Sequence, residues 1–473
     1  MTEVASELLI DYNKDTVRGI DVLGRVQDRK NRQKKEQGEI DMSKLAELVK
    51  DIPIPRMIEV RQHFADEKLE DPAAEMRQQL ERSGMKERIR PGAAIAITAG
   101  SRGIANIAVI TREIVSFVRD CGGEPFIIPA MGSHGGAQAE GQVSILREIG
   151  ITEDFCGCPI RATMETVLIG ETPVQKLPVW VDRYAHEADG IILVNRIKPH
   201  PSFYGPIESG VMKMSVIGLG KQKGAALCHG LGMVKMSGNI QEIGSVILEK
   251  EPVLFGVGLI ENAYDHTSEI HVMPAEEILK TEPELLKKAY ANFPKILIPN
   301  YDVLLMEEMG KNISGAGMDT MIISRFTHDG IPKDPHQQII CCLRLTKETE
   351  GNACGMGLVD VAPAKYRDAI DFDNTYPNLI TSRIYNSARM PMIADNDRVA
   401  IQVAINGCQG VDYSRIRMIW MKNTLDIGRL YVSEAMIGEV RQTPGLEIVG
   451  ELQDMRFREN GDLVMMDEPV RIL

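Results

Sequence analysis

Two histidines flank a lysine in the glycine-rich stretch from Asn195 to Gly230: NRIKPH ends at His200, SGVMKM carries Lys213, and GLGKQKGAALCHG carries His229. With only 9 histidines in 473 residues, such a grouping among turn residues marks a site rather than a packed element. Another histidine, His134, stands in GSHGG. Two neutral imidazoles facing each other across a small substrate can alternate as general base and acid, because histidine titrates near cellular pH. His134 and His200 are the candidates. Arg102 could clamp a carboxylate at two points, and Lys311 could add a second positive contact across a cleft. Together these residues describe a site for a small hydroxy or keto acid.

Each residue also has a plainer reading. His134 has almost no bulky sequence neighbours to pack against, which favours function over a simple turn. His200, between Pro199 and Pro201, has a rigid backbone on both sides. His229 follows Cys228 in an expected helix and, alone, reads as a core histidine. Lys213 is open between a surface lysine and a functional one. GLGKQKGA (218–225) has the look of a glycine turn that holds phosphate at a helix start, but it lacks Walker spacing, and no G-x-G-x-x-G follows a strand. HExxH and GxSxG are absent, which lowers zinc-peptidase and α/β-hydrolase readings.

The elements that must position these residues alternate. AAIAITAG (93–100) reads as a doubly buried strand, followed by a loop with Ser101 and Arg102 and a helix from about Ala105 to Cys121. Its apolar residues Ile107, Ile110, Ile114, Phe117 and Val118 recur every three or four positions, and Gly122 and Gly123 end it. FIIPAMGSHGG and GIILVNRIKPH repeat the device. Arg102, His134 and His200 thus each follow a strand end, where a mainly parallel sheet binds its ligands. A second lobe starts near Pro294, where ILIPNYDVLLMEEMGKNISGAGMD offers a strand and then a loop with Glu307, Glu308 and Lys311, and further strands are expected at QIICCLRL and RVAIQVAIN. NLITSRIYNSA reads as a helix, and Asn460-Gly461 as a hairpin turn. The expected fold is α/β: two lobes with mainly parallel sheets and an active-site cleft between them. The boundaries are an N-terminal extension over 1–51, a first lobe over 52–293 and a second over 294–473.

Composition removes several functions. A formal net charge of −13 argues against a general nucleic-acid binder, and the basic run Arg25–Lys35 reads as a solvated helical extension. No apolar run approaches the roughly 20 residues needed to span a bilayer, and MTEVASELLIDYNKD does not read as a secretory signal. The cytoplasm is the expected compartment. The 8 cysteines include no CxxC pair, so buried thiols are expected rather than a disulfide or metal framework.

From about Pro53 onward, and most specifically from Arg90 to Gly230, the sequence resembles the nickel-pincer lactate racemase family. RPGAAIAITAGSRG looks like the family's substrate-arginine loop, with Arg102 in the arginine position. PAMGSHGGAQAEGQ is similar to its first catalytic-histidine loop, giving His134, and KPH gives the second at His200. SGVMK matches the lysine that carries the cofactor through a thioamide, Lys213. His229 follows at the spacing of the nickel-binding histidine, and EEMGK matches a substrate-contacting lysine, Lys311. The resemblance implies a nickel-pincer nucleotide, a pyridinium-3-thioamide-5-thiocarboxylic acid mononucleotide nickel complex bonded to Lys213 and held through the metal by His229. It implies hydride loss from the hydroxyl-bearing carbon to the pyridinium ring while one histidine takes the hydroxyl proton. Hydride return to the opposite face of the keto acid, with the other histidine supplying the proton, would invert the centre. Implied partners are a 2-hydroxy acid substrate and the enzymes that make the cofactor. Nucleic acid and membrane are not expected, and a homo-oligomer is compatible with the chain.

Departures from the family pattern fall on the substrate side. Ala99 stands where an aspartate is usual, Gly103-Ile104-Ala105 replaces an arginine-proline-rich segment, the interval from His200 to Lys213 is longer, and Glu308 stands where glutamine is common. The implied substrate is a 2-hydroxy acid other than lactate, with a sugar acid whose hydroxyls bond to Glu308 as the candidate. Two alternatives stay open: a zinc-dependent hydrolase or lyase using His134, His200 and His229, and a non-catalytic hydroxy-acid-binding protein.

Overall fold

The computed structural model describes residues 43–101, 103–327 and 336–467. The basic run Arg25–Lys35 and Arg102 lie outside the described residues. Five strands form one sheet in the order Glu124–Pro129, Ala94–Ala99, Gly190–Arg196, Val253–Glu261, Thr267–Pro274. The first four run parallel and the last is antiparallel. Because successive side chains point to opposite faces, Ile95 and Ile97 enter one core and Ala96 the other. Helix Ile107–Asp120 covers the first face, burying Ile107, Ile110, Ile114, Phe117 and Val118 as their spacing requires. Helices Met236–Lys250 and Ile278–Asn292 contribute to the core on the other.

The second sheet has eight strands, in the order Met392–Ala394, Val361–Pro363, Ile339–Leu345, Val303–Met309, Met418–Met421, Arg429–Ser433, Met57–Gln62, Leu446–Ile448. Its first five strands are parallel and the rest antiparallel. The protein is therefore α/β with mainly parallel sheets in two lobes.

Three expectations need correction. The lobe boundary near residue 52 is displaced, because Met57–Gln62 pairs with Arg429–Ser433 and Leu446–Ile448 inside the C-terminal sheet. The described part of the chain thus starts in the second lobe, crosses to the first and returns; such pairing is non-local and leaves no local trace. RVAIQVAIN is not a strand but part of helix Asp397–Asn406, capped by the Asn396 side chain accepting from the Val399 N–H. Residues 399–405 are all buried, so the run shows no polar face, and its β-branched residues imitate a strand. Gln402 of this helix donates to the carbonyls of Lys50 and Ile52, tying helix Lys44–Val49 to this lobe. NLITSRIYNSA is split: helix Phe372–Ser382 stops at Arg383, whose φ of 58° is left-handed, and a 3₁₀ turn Tyr385–Ala388 follows. The Asn460-Gly461 turn closes on a single bridge between Phe457 and Leu463.

Candidate active site

A cavity of about 660 Å³ opens between the lobes. His134, His200, Lys213 and His229 line it from the first lobe and Lys311 from the second, so five sequence-selected residues converge on one space. Arg102, the sixth, lies outside the described residues; its neighbour Ser101 lines the cavity.

His134 follows strand Glu124–Pro129 in a tight loop that curls back onto helix Ala139–Glu148. Gly135 makes this possible: φ is 65°, and a β-carbon there would meet the backbone of Gly141 and Gln142 at 2.6 Å. Nδ1 of His134 lies 2.5 Å from Ser101 Oγ, so the loop after strand Ala94–Ala99 orients the ring.

His200 follows strand Gly190–Arg196. Its backbone N–H donates to Glu208 Oε2 at 2.7 Å, and its Nδ1 accepts from the Ser202 N–H at 3.0 Å. The neutral ring, assigned from that bond, carries its proton on Nε2. It stacks on buried Phe203 at 4.1 Å between centroids, and the Lys213 ammonium lies 5.9 Å from the same phenyl ring. Phe203 therefore meets both a candidate acid–base group and the candidate attachment lysine. Sequence reading missed it, although its place three residues after His200 was a usable signal.

Lys213 ends the short helix Val211–Lys213, and a π-helical turn, Met214–Gly218, follows at once, with the Leu219 N–H donating to Met214 O at 2.9 Å. Such widened turns are common at functional sites. Helix Lys221–Gly230 then returns His229 to the cavity. Burial and the Lys213 charge hold the His229 imidazole below its ordinary pKa, so the ring is neutral at cellular pH. Its buried Nδ1 has no hydrogen-bond partner among the described residues. A neutral imidazole with an unsatisfied nitrogen suits a metal ligand, so this part of the cavity fits the implied nickel group.

Lys311 donates from Nζ to Gly315 O at 2.7 Å, and its backbone N–H donates to Thr349 Oγ1 at 2.9 Å. Glu308, expected to meet substrate hydroxyls, accepts from Asn423 at 2.9 Å, faces Arg344 at 3.5 Å and is not part of the cavity wall. Glu307 is buried and accepts from the Met466 N–H. The polar groups that the second lobe does offer the cavity include Ser314, Asp319 and Thr424. The suggested phosphate turn is also corrected: Lys221 is fully buried with its ammonium directed into the protein.

Two buried carboxyls brace the site. Glu208 accepts from His200, from the Gly205 N–H at 3.2 Å and from the Tyr290 hydroxyl at 2.9 Å. Glu282 accepts from the Met212 N–H at 2.9 Å, at the start of the helix that carries Lys213. Burial raises each from 4.5 to about 7. Between those pH values the folded protein keeps protons that the unfolded chain releases, so this contribution to stability is full below about 4.5 and is lost as pH rises through about 7. At about 1.4 kcal/mol per unit, each group costs about 3 kcal/mol by pH 8. Denaturant unfolding at pH 5 and pH 8 is expected to show Glu282→Gln losing much less stability than the wild type over that interval. An unchanged loss would refute the assignment.

No protein-family model matches this sequence, and no curated protein matches it. Among solved structures, the chain is similar to a protein from Thermotoga maritima at 10% identity and a TM-score of 0.48, over 76% of this chain and 97% of the other. It is also similar to the lactate racemase apoprotein from Thermoanaerobacterium thermosaccharolyticum at 12% identity and a TM-score of 0.45, over 72% and 87%. Among the described residues, no helix is long and apolar enough to cross a membrane.

Proposed function

We propose that this protein is a racemase or epimerase of a 2-hydroxy acid that works with a nickel-pincer nucleotide. The observation that supports the reading best is the meeting of His134, His200, Lys213, His229 and Lys311 around one inter-lobe cavity, in the roles their sequence motifs suggest. Lys213 would hold the cofactor covalently, and His229 would ligate its nickel through imidazole nitrogen, a donor that suits Ni(II). When bound, the cofactor supplies a hydride acceptor for the hydrogen on the substrate's C2.

The chain supplies binding and proton transfer. Lys311, with Arg102, holds the carboxylate so that the carbonyl can present either face without the acid leaving. With Nδ1 held by Ser101, His134 exchanges the hydroxyl proton at Nε2. His200 serves the other enantiomer, whose hydroxyl points the opposite way. Both proton-transfer forms of an imidazole active at Nε2 carry a proton on Nδ1, so the Ser202 N–H must release His200 before it acts. Buried Phe203 shields the space beside Lys213 from water and keeps the His200 ring in plane.

The substrate in this reading is larger than lactate, with additional hydroxyls meeting Asp319, Ser314 or Thr424 rather than Glu308. The zinc alternative is weakened by ligand geometry: among the described residues, no group of three or more His, Cys, Asp and Glu side chains could hold a metal ion. A cofactor that brings its own donors needs only one imidazole from the protein. The test is racemisation of one enantiomer of a C2-deuterated 2-hydroxy acid by protein co-produced with cofactor-making enzymes; loss of optical purity is expected, faster with polyhydroxy acids than with lactate.

A further inference from the structure

The loop of His134 and the turn that follows Lys213 touch each other through a buried polar chain. Lys221, at the start of the helix that carries His229, is fully buried and has a left-handed φ of 51°. A lysine sealed from water in a backbone conformation that favours glycine bears two separate costs, and such residues persist where their surroundings over-determine them. Its ammonium donates to Pro129 O at 2.5 Å and to Gln142 Oε1 at 3.1 Å, and it pairs with buried Asp182 at 3.0 Å. Pro129 is the last residue of the strand that leads to His134. Gln142, itself fully buried, turns its other end to the histidine loop: Nε2 donates to Gly132 O at 3.0 Å and to His134 O at 3.3 Å.

The backbones meet as well. The Gly132 N–H donates to Gly218 O at 3.3 Å, and a β-carbon on Gly218 would lie 2.6 Å from Ala130 O, so the π-helical turn and the histidine loop are in direct contact.

We propose that Gln142, oriented by Lys221, is a positioning residue for His134: its side-chain amide fixes the histidine loop against the turn that follows Lys213 and so sets the height of the imidazole over the cofactor site. This rests on the functional reading above for its catalytic consequence, but not for the link itself. The amide does two things at once, accepting from Lys221 and donating to the loop carbonyls, and only the second positions His134.

That division makes the test. In Gln142→Met both halves are lost; in Gln142→Glu the carboxylate still accepts from Lys221 but cannot donate to Gly132 and His134. Hydrogen–deuterium exchange of the bare polypeptide reads the link without any cofactor. Exchange over residues 131–138 is expected to rise in both variants, while the strands at 253–274 stay as in the wild type. In cofactor-loaded enzyme, both variants are expected to keep the Lys213 adduct mass and a KM within about 3-fold of the wild type, while kcat falls on the order of 10-fold or more, the scale of a misplaced reacting group. Glutamate is expected to restore thermal stability relative to methionine without restoring kcat. A glutamate variant with wild-type kcat and loop exchange, or a methionine variant that folds with both unchanged, overturns the proposal. If loaded wild-type protein fails to racemise any acid, the functional reading falls, and the loop-exchange result on the bare chain still decides the link.

Discussion

Lys213→Ala is expected to abolish both the cofactor adduct and measurable racemisation while leaving the fold intact. The side chain is half-buried, and its contact with the Phe203 ring, 5.9 Å from the centroid, is worth about 1 kcal/mol. Loss of activity could not then be blamed on unfolding. Intact-mass analysis after co-production with the cofactor-making enzymes reads the first effect, and polarimetry the second. A third readout needs no cofactor. The Lys213 charge helps hold the His229 imidazole below its ordinary pKa, so in the alanine variant the His229 titration followed by NMR is expected to move up, with burial still keeping it low. An adduct that survives the substitution would show that another residue carries the group.

The second large effect is expected from the two acid–base histidines. His134→Gln and His200→Gln should each lower kcat by roughly 10²–10⁴, the usual contribution of a positioned general acid or base, with adduct mass and nickel content unchanged. Both directions must suffer in each variant, because every inversion uses one histidine to take the hydroxyl proton and the other to give one back. A single variant that keeps most of its turnover in either direction would mean that one imidazole suffices. His200 has an additional feature to test: the Ser202 N–H holds its Nδ1 at 3.0 Å, and proton transfer at Nε2 requires that bond to open.

Much of the first lobe was legible because its signals are local. The strand at Ala94–Ala99 is an apolar run, the helix at Ile107–Asp120 shows its period in Ile107, Ile110, Ile114, Phe117 and Val118, and glycine ends both it and the helix at Ala139–Glu148. The positions of His134 and His200 after strand ends followed from the same alternation, and both line the cavity. What escaped is what depends on distant partners. Nothing within Met57–Gln62 announces that its neighbours are Arg429–Ser433 and Leu446–Ile448. Helix Asp397–Asn406 buries every residue from 399 to 405, which erases the polar face by which a helix is recognised. The stretch 218–225 looked like a phosphate-holding turn because of its glycines; in space its Lys221 is surrounded by Pro129, Gln142 and Asp182. Glu208 and Glu282 could not be told from surface carboxylates, since burial is a property of the fold.

The most direct test of hydride storage in this cavity is the fate of the substrate's own C2 hydrogen. Enzyme carrying the Lys213 adduct and nickel would be given one enantiomer of a C2-deuterated 2-hydroxy acid in ordinary water, and the product analysed for chirality and label. The expected product is a mixture of both configurations that retains deuterium on C2, because the hydrogen leaves and returns without meeting solvent. Inversion with the label replaced by solvent hydrogen, or no inversion of any 2-hydroxy acid by fully loaded protein, would contradict it.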